Sequence, residues 1–193
     1  MKPKKRKKIE PKLVGRIQLD PKHTWKAPSG FKIIVVDRGV ISFNVPEKWI
    51  LAQMEPLEVH DALPPDDKAR ITVSHWKMPP GIDWSGLPVK ELLEKSLEGT
   101  GKEVEILERD VIHTHERTDI EIVWSQHRFM DPKEHREAFS RVTLARGFDV
   151  HALISFDFWC DDAEKMIPIW EEVARSLQMG RYIADPSKGI TLQ

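Results

Sequence analysis

Cysteine is nearly absent. The single Cys160 among 193 residues excludes an internal disulfide and a thiolate metal cluster, and it reads as a small apolar residue at a strand end. The chain has no G-x-G-x-x-G, no Walker lysine motif and no G-x-S-x-G elbow, so the usual dinucleotide, phosphate-loop and hydrolase chemistries have no anchor. Long hydrophobic runs are also missing: none could cross a bilayer, and none follows the N-terminal lysines as in a secretory signal. We therefore expect a cytoplasmic protein without membrane insertion. No internal repeat and no second domain is visible.

Charge is present in quantity but unevenly placed. The formal net charge is −1, and Lys2, Lys4, Lys5, Arg6, Lys7 and Lys8 all precede the first acidic residue, which leaves a body of about −7 by subtraction. Residues 1–12 cannot bury enough apolar surface to offset their ordering entropy and read as a disordered basic tail. Lys4, Lys5, Arg6, Lys7 and Lys8 are candidates for a salt-sensitive contact with nucleic acid or another anionic surface. The competing reading is a solubilising tail, because the body has no basic stripe. Residues 13–30, with Pro21, Trp25 and Pro28, read as an extended arm pinned through Trp25. Residues 31–180 form the domain, and 181–193 a C-terminal tail.

The most ordered pattern runs from Asp119 to Gly180. Apolar and aromatic residues recur at every second position in Asp119–Phe129, Arg136–Arg146 and Phe148–Trp159, as in half-buried strands. Asp131-Pro132-Lys133 and Arg146-Gly147 break them into two antiparallel hairpins that share the middle strand. Pairing Trp124 with Val142, and Val142 with Ile154, gathers Ile120, Ile122, Trp124, Val142, Leu144, Ala152, Ile154, Phe156 and Phe158 on one face. The other face then holds Ser125, His127, Phe139, Arg141, Thr143, His151, Leu153, Ser155 and Asp157. Asp161 and Glu164 stand at capping-box spacing, and Met166, Ile167, Trp170, Val173, Ala174 and Leu177 make one helical stripe. Pro168 argues for a loose turn over Asp161–Ile167 with the main helix starting near the proline, and Gly180 reads as its C-terminal cap.

Upstream, Phe31–Val36 and Val40–Val45 flank Asp37-Arg38-Gly39, a hairpin signal. Leu57–His60 reads as an edge strand, Pro64-Pro65-Asp66-Asp67 as a loop and Ala69–Met78 as a strand. Pro79–Pro88 is a Pro/Gly/Trp loop of the kind that carries binding residues. Val89–Leu97 is a short helix stopped by Gly99 and Gly101, and Glu103–Glu116 is a long strand or a bent pair.

The run Ile41-Ser42-Phe43-Asn44-Val45-Pro46 with Trp49, then Ala69-Arg70-Ile71-Thr72-Val73-Ser74, and Trp170-Glu171-Glu172-Val173-Ala174-Arg175-Ser176-Leu177 resemble the PsbP-like family over about residues 31–180. The resemblance implies an α+β fold, an antiparallel sheet of six to seven strands with the C-terminal helix on one face and the short helix on the other, an α/β/α sandwich. It also implies binding and assembly roles rather than catalysis, and it carries over no functional residue.

Candidate chemistry is sparse. His113-Thr114-His115 puts two imidazoles on one strand face, two potential ligands without a third. The inferred register makes Arg141 and Asp157 diagonal neighbours beside His127, a cluster able to bind an anion or position a proton unless it is simply a paired structural network. Trp76 and Trp84 would rim a groove on that face if the short helix leaves one open. The reading is a binding or adaptor domain, without cofactor and not an enzyme, that engages a protein partner or ligand through this groove and the tryptophan loop. The alternatives are a helix-grip carrier or enzyme, whose mark would be a cavity under the terminal helix, and a nucleic-acid-associated protein acting through the tail.

Overall fold

The computed structural model describes residues 17–52, 55–81, 83, 86–98 and 104–190. The segment Phe31–Val36 (β1) turns through Asp37–Gly39 into Ile41–Pro46 (β2). Gly39 is required at this turn: its φ is +90°, and a β-carbon there would lie 2.5 Å from the carbonyl oxygen of Arg181. Then follow Ile50–Ala52 (β3), Leu57–His60 (β4), Ala69–Lys77 (β5), the helix Val89–Glu98 (α1), Glu105–Arg109 (β6) and His113–His115 (β7). Glu121–Met130 (β8), Glu137–Gly147 (β9) and Val150–Trp159 (β10) form the meander, and Ala163–Ser176 (α2) and Gln178–Met179 (β11) complete the order.

All pairings are antiparallel. The main sheet runs β3-β4-β5-β10-β9-β8-β6, with β7 also on β8, and a small sheet runs β1-β2-β11. The fold is thus the expected α+β sandwich with more strands than expected: among the described residues, eight in the main sheet and three beside it. Leu57–His60 is not the edge, since β3 lies outside it, and Glu103–Glu116 resolves into the two short strands β6 and β7.

Two separate cores cover the two faces of the main sheet. On one, Phe43, Ile71, Ile122, Ile154, Phe156 and Trp170 pack together from β2, β5, β8, β10 and α2. On the other, Val89, Leu93 and Leu97 of α1 pack on Val123 and Leu144. That double coverage is why the expected register fails. Trp124 is opposite Thr143, and Thr143 is opposite Ile154, one residue away from the inferred pairing at both interfaces of β9. Trp124 and Ile154 do face α2, but β9 is inverted: Val142 and Leu144 turn to α1, while Phe139, Arg141 and Thr143 turn to α2. Each face of β9 offers apolar residues to a core of its own, so alternation alone could not choose between them.

The terminal helix also differs. Its N-cap is Asp162, with no side-chain cap, and Asp161 instead binds Arg136 at 2.7 Å. Pro168 is the sixth residue of α2 rather than its start. Pro168 and Glu164, whose carbonyl the proline leaves unbonded, are both on the solvent side, where water can satisfy that oxygen. Ile167 also faces outward, 39% exposed, and departs from the buried stripe. The helix ends at Leu177, and Gly180 serves another contact described below. The last described residues fold back: Trp25 donates through Nε1 to the carbonyl of Pro186 at 2.9 Å, Asp20 N–H to Ser187 at 2.8 Å and Thr24 Oγ1 to the carbonyl of Ile190 at 2.8 Å.

Candidate functional site

The inversion of β9 dissolves the expected triad. His127 and Asp157 lie on the α1 face, flanking Ser140, whereas Arg141 projects to the opposite face. Arg70 of β5 takes its place. It binds Asp157 Oδ2 at 3.0 Å while Ser140 Oγ donates to Asp157 Oδ1 at 2.6 Å. The chain of contacts continues from Arg70 to Glu58 at 3.8 Å, from Glu58 to His60 Nε2 at 3.1 Å, and from His60 Nδ1 to Asp67 at 2.9 Å. Burial works against the Arg70 charge, yet Asp157, Glu58 and Asp67 together raise its pKa. His127 is buried with both ring nitrogens unpartnered among the described residues, and burial, helped by Arg109 and opposed by Asp157, lowers its pKa. Ser140 gives its proton to a carboxylate and has no hydrogen bond to the imidazole, so this row does not assemble an activated nucleophile.

Arg141 is part of a different construction. Its guanidinium lies 4.2 Å from the Trp124 ring centroid and 5.7 Å from that of Trp170, and it donates to Gln126 Oε1 through Nε at 3.1 Å and Nη2 at 2.8 Å. His113 stacks on Trp124 with centroids 4.3 Å apart and is held by Asp110 at 2.8 Å. The sheet is thereby joined to α2 by a ladder of His113, Trp124, Arg141 and Trp170. Burial lowers the Arg141 pKa, against Glu171 and Asp110. His113 is thus committed to packing, and among the described residues no group of three His, Cys, Asp or Glu is placed to hold a metal ion.

A groove of about 1020 Å³ lies at one end of the main sheet. Three strand-end segments form it. Met78–Gly81 and Asp83 follow β5, residues 114–121 lead from β7 into β8, and residues 146–149 make the β9–β10 turn. Met78, Pro79, Pro80, Ile120 and Phe148 supply its apolar surface, so part of the expected binding loop does line it. Trp76, 43% exposed, is not among the residues that line it; it stands edge-on to His151 and in one cross-strand row with Arg146 and Glu121. Trp84 lies outside the described residues, as do Lys4, Lys5, Arg6, Lys7, Lys8, Gly99 and Gly101.

Both arginines of the groove are tied into its walls. Arg117 bridges Asp119 and, through Nη1, the carbonyls of Ala174, Arg175 and Leu177 at 3.0, 3.1 and 2.7 Å, closing the C-terminal end of α2. Its hydrogen bond is the main reason the Asp119 carboxyl is held below the usual range. Arg146 donates to the Leu87 carbonyl at 2.8 Å, just before α1, and to Glu121.

Phe148 is the residue that sequence reasoning missed. The alternation starts a strand at Phe148, but the residue occupies the first position of the two-residue turn between β9 and β10, with φ +54° and 69% of its surface exposed. That position favours glycine. Its neighbour Gly180, φ +67°, makes the space: a β-carbon there would lie 2.7 Å from that of Phe148. The sequence reading puts the break at Arg146-Gly147; Gly147 instead ends β9, and the turn falls one residue later.

Known proteins place this architecture. Residues 32–183 match the model of the Alr1449 family. The uncharacterized protein alr1449 of Nostoc sp. (strain PCC 7120) is 42% identical over 176 residues, 90% of each chain. The solution structure of cyanobacterial PsbP (CyanoP) from Synechocystis sp. PCC 6803 superposes with a TM-score of 0.51 at 14% identity, covering 80% of this chain and 95% of that one. A crystal structure from Bacteroides thetaiotaomicron gives 0.52 at 15% identity over 79% of this chain, which spans about half (49%) of that longer protein. At those identities the likeness concerns the fold, and none of the described helices is long and apolar enough to cross a membrane. The fold is PsbP-like, and the chain belongs to the Alr1449 family.

Proposed function

We propose that this chain is a non-enzymatic binding domain, an adaptor that seats a segment of a protein partner in the groove at the strand ends, in the cytoplasm. The observation that carries the reading is Phe148. Holding a bulky residue in the left-handed region costs about 1–3 kcal/mol, and the ring is mostly in water, so burial within this chain does not offset that cost. A strained, solvent-facing aromatic ring at the edge of an apolar groove has the form of an anchor for something else. The interior under α2 favours an adaptor over a carrier, because Phe43, Phe156, Ile154 and Trp170, each at most 1% exposed, fill it.

The test installs a photo-reactive benzoylphenylalanine at residue 148 of the full chain and, as a control, at Leu63, which is 56% exposed. Irradiation in the source cells is expected to give a discrete polypeptide adduct from position 148 alone. Phe148→Asn, which tolerates the left-handed backbone, is expected to abolish capture of that polypeptide while raising stability. No adduct at 148, the same adducts at 63, or a loss of stability in Phe148→Asn overturns the reading.

A further inference from the structure

Given that the groove is the docking surface, we infer that its occupant is an extended cationic segment of another polypeptide, with Lys or Arg side chains directed at Glu116 and Asp149 and an apolar side chain against Phe148. Among the described residues the groove is lined by Asp83, Glu116, Asp119, Glu121 and Asp149 against two guanidinium groups, a formal −3 with His115 counted neutral. Neither arginine is available to an incoming anion. Arg117 is spent on Asp119 and the end of α2, and Arg146 on Glu121 and the Leu87 carbonyl. Among the described residues Glu116 and Asp149 take part in no ion pair, so two carboxylates at this surface lack a counter-charge.

Shape agrees with charge. The lining spans the ends of β5, β10, β9 and β8, four adjacent strands, and three strand spacings of about 4.8 Å make roughly 14 Å. At about 3.3–3.6 Å per residue that length takes about four residues of extended chain. The apolar lining of Met78, Pro79, Pro80, Ile120 and Phe148 gives such a chain somewhere to place every second side chain, while the residues between them reach the carboxylates. A nucleic acid has the wrong sign for this site, since its phosphates would meet the same uncompensated carboxylates.

The experiment selects random eight-residue peptides on the immobilised full chain and reads the composition of the pool that binds. The expected pool is enriched in Lys and Arg over the input and contains an apolar or aromatic residue. Its affinity falls as salt is raised, and neutralising both carboxylates with Glu116→Gln and Asp149→Asn lowers it by about 10-fold. An acidic or charge-neutral pool, or indifference to the double variant, overturns the cationic assignment, even if Phe148→Asn still abolishes binding and so leaves the groove reading standing. A pool that binds Phe148→Asn as well as the parent chain removes the groove reading as well. A synthetic peptide of residues 1–12 that competes more strongly than any selected sequence also overturns the proposal, because the occupant would then be this chain's own basic segment.

Discussion

Replacing Arg117 by alanine tests whether one side chain holds both the groove wall and the end of α2. The helix stops at Leu177 without a left-handed glycine cap, so the carbonyls of its last turn depend on Arg117. A hydrogen bond to a charged group contributes about 1.5–3 kcal/mol net, but the three acceptors share the two protons of one Nη1, so no more than two such bonds count in full. The Asp119 pair adds little, about 0–1 kcal/mol, because its carboxylate is 41% exposed. With water replacing part of what is lost, the expected destabilisation is about 2–4 kcal/mol. In a chain of this size that corresponds to a fall in Tm of about 4–16 °C. Urea unfolding should show a lower midpoint with an unchanged slope. Arg117→Lys keeps the favourable charge at the helix end, worth about 0.3–1 kcal/mol, and should recover less than half of the loss. Asp119→Ala should cost less than 1 kcal/mol or so. A midpoint for Arg117→Ala indistinguishable from the parent chain, or an equal loss in Asp119→Ala, would refute the capping argument.

Two further outcomes follow from buried groups. His127 and His151 have pKa values lowered chiefly by burial, so between about 6.5 and their folded values the unfolded chain binds more protons. Stability is therefore fully present above pH 6.5 or so and is lost as pH falls through the folded values. Urea midpoints from pH 7.5 to 5 should show this loss, and His127→Leu should shrink it; an unchanged pH slope in that variant would count against the assignment. Arg141→Ala removes the group between Trp124 and Trp170 and should cost about 2–4 kcal/mol with a change in near-ultraviolet circular dichroism, whereas unchanged melting would show that the ladder contributes no stability.

Much of the sheet was legible because its signals are local. Alternation found β8, β9 and β10, and Asp37-Arg38-Gly39 marked the first hairpin. The facing of β9 was not legible, since apolar residues on either side of it answer to different cores. His127 and Asp157 fall on the expected face, but the guanidinium bound to Asp157 is that of Arg70 rather than Arg141: Arg70 comes from a strand whose position beside β10 no local pattern reveals. The groove was even less accessible. Glu116, Arg146 and Phe148 line one groove only because three strand-end segments arrive at one end of the sheet, and a residue in a left-handed turn leaves no periodic trace.

The clasp between the first and last described segments has a mechanical side. Asp20 and Thr24 are hydrogen-bonded to Ser187, Lys188 and Ile190, and Trp25 to the Pro186 carbonyl, so the two segments are tied together at several points. Tension applied between them would peel this latch bond by bond before reaching the ladders of the main sheet.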